Sequence, residues 1–189
     1  MDVRSTAIEA VKIIEPPRFG DSRGWFSETW NARALAEAGL APGFVQDNQS
    51  YSAAKGTIRG LHYQAPPFAQ GKLVRVLSGA ILDVAVDVRR GSPSFGAWVA
   101  EELSAANGRQ LWVPEGFLHG FVTLEPDTMV FYKVTAHYDR ASDGAVRFDD
   151  PDIGIDWGLD AGAATVSDKD AAAQSFAEFD SPFTMERRA

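Results

Sequence analysis

Between residues 43 and 138 the apolar positions recur in short alternating runs and not at helical spacing. "GFVQDNQSYS", "TIRGLHYQ", "KLVRVL", "AILDVAVDV", "AWVAEEL", "QLWVP", "FLHGFVTL" and "MVFYKVTAHY" are rich in β-branched and aromatic residues, with turn residues between them. Strands at this spacing predict a mainly β sandwich or closed barrel. Helical signals are confined to "NARALAEAGL" at 31–40, ended by Gly39, and to "SDKDAAAQSFAEF" at 167–179, which carries a capping residue. Both are expected at the periphery. No repeat, low-complexity tract or linker interrupts the pattern, so residues 1–189 are read as one domain.

One hairpin can be drawn in detail. If Leu77 and Ala80 pair across the loop Ser78-Gly79, Val74 faces Asp83 and Lys72 faces Ala85. Lys72, Val74, Ile81, Asp83 and Ala85 then share one face. A solvent face with a weak surface ion pair is one reading. Val74, Val76 and Ile81 support the other, an inward face in which a lysine and an aspartate line a pocket.

Composition narrows the chemistry. At 189 residues the chain can bury a core without disulfides or a structural metal. No long apolar run free of charge is present, and "MDVRSTAIEAVKIIEPP" lacks the features of a signal peptide, so a soluble, cytoplasmic protein is expected. Without cysteine there is no thiol redox chemistry and no Cys-ligated zinc. The net charge of −8 opposes general binding to nucleic acid or to an anionic membrane. A small anionic ligand remains compatible, because "TIRGLHYQ" and "GKLVRV" cluster cations near His62.

His62 is one of three histidines, and three jobs are open to it: metal ligand, core side chain or proton carrier. A metal site would need converging His, Asp or Glu ligands, commonly two His at alternating strand positions. Gln64 stands two residues after His62, Gly120 and Phe121 follow His119, and His137 is isolated beside Tyr138, so the ligand count argues against a metal. A histidine, a carboxylate such as Asp170, a phenol such as Tyr132 and cations form a set suited to proton transfer through an anionic intermediate. Composition alone does not bring them together in space.

The stretches "DSRGWFSETW", "FVQDNQS", "GTIRGLHYQ", "AQGKLVRVLSGAILDVAVDVRRGSPSFG", "RQLWVPEGFLHGF", "YKVTAHY", "DPDIGIDW" and "SDKD" run in order from about residue 8 to 175. Together they resemble the dTDP-4-dehydrorhamnose 3,5-epimerases, metal-free nucleotide-sugar epimerases of the cupin superfamily. The resemblance implies a double-stranded β-helix, or jelly-roll barrel, with short peripheral helices, forming a homodimer. It implies a dTDP-linked 4-keto-6-deoxysugar substrate, dTDP-4-dehydro-6-deoxyglucose, inverted at carbons 3 and 5 through an enolate with no cofactor.

The same resemblance implies His62 as base, Asp170 as its orienting carboxylate, Lys72 beside the developing enolate and Tyr132 as the acid on the opposite face. Asp83 is a further candidate to position Lys72 or orient His62. Arg23, Phe26, Glu28, Gln46, Asn48, Arg59 and His119 are implied in the substrate site, with Asp143 and Lys169 as further candidates. Tyr138, which ideal alternation puts on the strand face of Tyr132, is the alternative acid. Two positions depart from the family pattern: Asp143 stands where Glu is more frequent, and Gln49 where His is common. Readings kept open are a related 3- or 5-epimerase, a ketoisomerase and a non-catalytic sugar-binding cupin.

One tension follows from strand geometry. Arg59 and His62 are three positions apart, so a regular strand would send them to opposite faces. Gly60 is the residue that could admit a bulge and re-aim one of them, and an irregularity is predicted there.

Overall fold

A computed structural model describes residues 1–185 of the chain. Its strands are β1 (Asp2–Ser5), β2 (Lys12–Glu15), β3 (Arg18–Asp21), β4 (Gly24–Ser27), β5 (Gln46–Ser52), β6 (Ile58–Gln64), β7 (Lys72–Ser78), β8 (Ala80–Asp87), β9 (Trp98–Ser104), β10 (Gln110–Val113), β11 (Phe117–Thr123), β12 (Thr128–Val134) and β13 (Asp143–Ala145). Two short helices, α1 (Ala32–Glu37) and α2 (Asp168–Ala171), lie at the edges. The strands form a six-stranded sheet in the order β1-β2-β10-β7-β12-β5, a five-stranded sheet in the order β13-β6-β11-β8-β9, and a β3-β4 ribbon. This is the expected mainly β jelly-roll architecture.

Alternation along the strands builds the interior. Val74, Val76, Leu111, Val113 and Val130 of the six-stranded sheet pack against Ile81, Ala85, Leu103, Phe117 and Phe121 of the other in one buried cluster. The outer face of the five-stranded sheet, with Leu61, Val84, Val86, Leu118 and Val122, is covered by Phe148, Ile153, Trp157, Phe179 and Phe183 from the C-terminal segment. Helix α1 places Leu35 against Ile14 and Leu73 on the outer face of the six-stranded sheet.

The hairpin drawn across Ser78-Gly79 does not form. β7 pairs with β10 and β12, and β8 pairs with β11 and β9, so each strand has both edges occupied in a different sheet. The two-residue turn crosses from one sheet to the other. Val74, Ile81 and Ala85 do face inward, but across the sandwich and not side by side. The helix expected over 167–179 is cut to one turn, because Gln174 bridges Val146 and Phe176 and Phe179 pack on the five-stranded sheet. β12 ends at Val134, which leaves Tyr138 in a loop and not on the strand face of Tyr132.

The predicted irregularity is present at Gly60. His119 of β11 pairs with His62, and Phe121 with Arg59, so the single residue Gly120 between them opposes two of β6, Gly60 and Leu61. The extra residue reverses the alternation. Ile58 and Leu61, three apart, both reach the outer cluster, and Arg59 and His62 both line the interior. Gly60 adopts φ +137°, and a Cβ there would stand 2.6 Å from Gly120 Cα and 2.9 Å from the His119 carbonyl oxygen. Gly60→Ala is therefore expected to cost roughly 3 kcal/mol or more, from a disfavoured backbone and a backbone clash together. Thermal or urea unfolding measures it, and a loss below 1 kcal/mol, on the order of an ordinary surface change, would contradict this account.

Candidate active site

The interior is not apolar throughout. Where β5, β6, β7 and β12 approach, the inner faces carry polar side chains around a cavity of two joined lobes, about 440 Å³ and 390 Å³. His62, Lys72, Tyr132 and Lys169 line both lobes. Gln46, Asn48, Tyr138 and Asp143 line the first, and Arg59, His119 and Asp170 the second. Among the described residues no cluster of three or more His, Asp or Glu is placed to hold a metal ion.

His62 Nε2 lies 2.6 Å from Asp170 Oδ1 although 108 positions separate them in the chain. Two local devices bring the carboxylate there. The Thr165 carbonyl accepts the Ile58 amide at 2.9 Å, laying the segment before α2 along β6. Ser167 then caps α2 by accepting the Asp170 amide at 3.1 Å, which turns Asp170 inward. Asp170 is 4% exposed and also accepts the Gly60 amide at 3.4 Å. Burial alone would raise its pKa; the bonds from His62, Gly60 and Ser167 outweigh that and hold the carboxyl below its ordinary value. A carboxylate on Nε2 fixes Nε2 as the protonated nitrogen and leaves Nδ1 with the free lone pair.

A second histidine–carboxylate pair lies beside the first. His119, opposite His62 across the β6–β11 ladder, is 2.8 Å from Asp83 Oδ1. Asp83 thus orients His119 and not His62, which corrects one of its two expected roles. Its other oxygen, Oδ2, is buried without a hydrogen-bond partner among the described residues. Burial pushes His119 below the usual histidine value, with Lys72 and His62 adding to the effect and Asp83 opposing it. Burial likewise pushes Lys72 down to about 8, against the pull of Asp83 and Asp143. Burial raises Tyr132, which stays protonated and able to donate.

Arg59 donates to Ser52 Oγ and to the Tyr51 carbonyl oxygen, which steers its guanidinium along β5. Lys169 pairs with Asp143, and the Tyr138 hydroxyl reaches Asp143 at 3.4 Å, so three of the candidates meet at the mouth of the first lobe. Gln49 lies outside the lining and donates to Met129 Sδ. Arg23, Phe26 and Glu28 do not join the cavity of this chain. They sit on or beside the β3-β4 ribbon, where Arg18 holds the Ala105 and Ala106 carbonyls, Arg23 pairs with Asp21 and Phe26 is 68% exposed. The sequence reading missed Gln64 and Gln70 as lining residues. Gln64 had a legible signal, its alternate spacing from His62, whereas Gln70 lies in a loop whose sequence carries no pattern.

Two titrations follow with definite sign. His119 is lowered from 6.5, so the unfolded chain takes up a proton there before the folded chain does, and stability falls as pH drops below 6.5. Asp170 is lowered from 3.8, so its stabilisation is complete above that value and is lost as pH falls through the folded one. Unfolding measured from pH 8 to 3 is expected to show both steps. In His119→Gln, which keeps a donor toward Asp83, the upper step is expected to flatten; an unaltered step there assigns it to another group.

The profile of the dTDP-4-dehydrorhamnose 3,5-epimerase family matches residues 5–178. A dTDP-4-dehydrorhamnose 3,5-epimerase of Sinorhizobium fredii is 56% identical over 161 residues, 83% of this chain and 80% of that protein. One from Shigella flexneri is 47% identical over 95% of this chain and 98% of its own. The structure of dTDP-6-deoxy-D-glucose-3,5-epimerase RmlC from Legionella pneumophila, in complex with dTDP-4-keto-L-rhamnose, superposes with a TM-score of 0.92 at 44% identity, over 100% of this chain and 99% of that one. With a profile match across nearly the whole chain and relatives at this identity, the chain belongs to the dTDP-4-dehydrorhamnose 3,5-epimerase family.

Proposed function

We propose that this protein is a 3,5-epimerase acting on dTDP-4-dehydro-6-deoxyglucose and giving dTDP-4-dehydro-L-rhamnose, through an enolate and without a cofactor. The observation that carries the reading is the 2.6 Å His62–Asp170 bond in a cavity that also holds Lys72 and Tyr132. The substrate's carbonyl at carbon 4 acidifies the protons on carbons 3 and 5. His62 Nδ1 removes each proton in turn, and Asp170 stabilises the imidazolium that results. The Lys72 ammonium offsets the negative charge that moves onto the carbonyl oxygen. Tyr132 returns a proton to the other face of the ring, and after each inversion the imidazolium gives its proton to solvent while the phenolate takes one up, which resets both groups.

The two-sheet architecture suits that division of labour. His62 comes from β6 of the five-stranded sheet, and Tyr132 from β12 of the six-stranded sheet, so a ring lying between the sheets has one group on each side. Gln46, Asn48, Arg59, His119, Tyr138, Asp143 and Lys169 are proposed to bind substrate, with Arg59 and Lys169 as cations for the diphosphate. Arg23, Phe26 and Glu28 are proposed to meet substrate from the second copy of a homodimer. We further propose that residues 1–189 form one epimerase domain working in the cytoplasm, a location drawn from the nucleotide-sugar substrate; no helix of the described residues is long and apolar enough to cross a membrane. A non-catalytic sugar-binding barrel gains no support from a histidine and a carboxylate in direct contact.

Incubation with dTDP-4-dehydro-6-deoxyglucose in heavy water, read by NMR, tests the reading. Deuterium is expected at carbons 3 and 5; label at one carbon supports a related single-site epimerase, and none sinks both for this substrate. His62→Ala is expected to lose roughly a hundred- to ten-thousand-fold in exchange rate. The Lys72 ammonium gives a second check, since it loses its proton as pH rises through about 8. The kcat/KM profile is expected to fall on that side, and in Lys72→Met that limb disappears together with a rate loss on the order of a hundred-fold. A limb that survives the substitution belongs to another group.

A further inference from the structure

We infer that Gln64, assisted by Gln70, is the positioning residue of the loop that carries Tyr138 at the mouth of the cavity. This rests on the epimerase reading of that cavity. Gln64 is 4% exposed and lies two residues beyond His62 on β6. Its side-chain amide is fully engaged. Nε2 donates to the carbonyl oxygens of Phe68 and, at 3.0 Å, of His137, while Oε1 accepts the Asp139 amide proton at 2.9 Å. Only this orientation of the amide meets two carbonyls and one N–H.

Gln64 does not act alone. Gln70 Nε2 donates to the Ala136 carbonyl at 2.8 Å, and Gln46 Oε1 accepts the Tyr138 amide at 3.1 Å. Each of the four successive residues 136–139 therefore gives a backbone group to a glutamine side chain. These residues lie between β12 and β13 in no strand, so the glutamines supply the partners that a sheet ladder would otherwise provide. Tyr138 is 57% exposed, and among the described residues its hydroxyl makes only the long 3.4 Å approach to Asp143. The ring's place is thus set through the backbone, and Gln64 holds that backbone on both sides of it.

Gln64→Leu retains the bulk and removes all three bonds, leaving two carbonyls and an N–H unpaired. Hydrogen exchange across 135–142 and kinetics on dTDP-4-dehydro-6-deoxyglucose together test the inference. In Gln64→Leu the amides of Tyr138 and Asp139, the two in this stretch that donate to glutamine oxygens, are expected to exchange faster while those of β7, β8 and β11 are unchanged, and kcat/KM is expected to fall about ten-fold. In a Tyr138→Ala background the same substitution is expected to add little, because the residue it positions is gone. Additive losses in the two backgrounds, or unaltered loop protection, overturn the inference. Should Gln64→Leu not fold, Gln70→Leu, at a less buried position and losing one bond, decides by the same cycle. Absence of turnover by the wild type overturns the epimerase reading, and the exchange measurement then decides the clamp by itself.

Discussion

The site depends on one extra residue in β6. Without the bulge at Gly60, His62 and Arg59 would face opposite sides of the five-stranded sheet, and the cavity would hold either the proposed base or the proposed diphosphate-binding arginine but not both. The same irregularity aims the Gly60 amide at Asp170, so the backbone that reorients His62 also helps hold the carboxylate bonded to it. Gly120 lies against Gly60 across the ladder, where a Cβ would stand 2.9 Å from the Arg59 carbonyl oxygen. Two glycines on neighbouring strands are thus the steric condition for bringing the proposed base and its partner together.

The polar half of the interior is sustained by pairing and by its apolar neighbour. A buried charge without a partner is costly, and a buried pair is itself a weak source of stability. Here two carboxylates each take a histidine, and Lys72 lies within the field of Asp83 and Asp143. The dense cluster around Val74, Ile81, Leu111 and Phe121 holds the two sheets at the spacing the cavity needs. The polar groups therefore set the chemistry, and the apolar end of the same strands supplies the stability that keeps them oriented.

How much of this could be read from the residues varies with the kind of constraint. The strands from β5 to β12 follow alternation and β-branched composition, which are local properties, and all appear where the pattern puts them. β1 to β4 and β13 escaped notice because they are three or four residues long, some with glycine or charge at half their positions. The hairpin at Ser78-Gly79 was misread because a two-residue turn says nothing about which edges are already occupied. Gly60 was legible, since a three-residue separation of two residues needed in one place demands an irregularity. The His62–Asp170 bond spans 108 positions, so only family resemblance could suggest it. Gln64 counted in the sequence only as a missing metal ligand; its three bonds go to loops with no pattern of their own.

A jelly-roll barrel is well matched to inversion at carbon for a reason that lies in its layers. Epimerisation needs a base below the ring and an acid above it, and a single sheet presents one face at a time. In a sandwich the facing strands offer both, here β6 with its histidine and β12 with its tyrosine, while β7 sets Lys72 beside Tyr132's strand. The cation is then on the same wall as the proposed acid, where it can stabilise the enolate oxygen without competing for the base's carboxylate. The His62–Asp170 bond keeps its place among the nearby cations because each is held elsewhere: Arg59 by Ser52 and the Tyr51 carbonyl, Lys169 by Asp143, and Lys72 on the facing sheet.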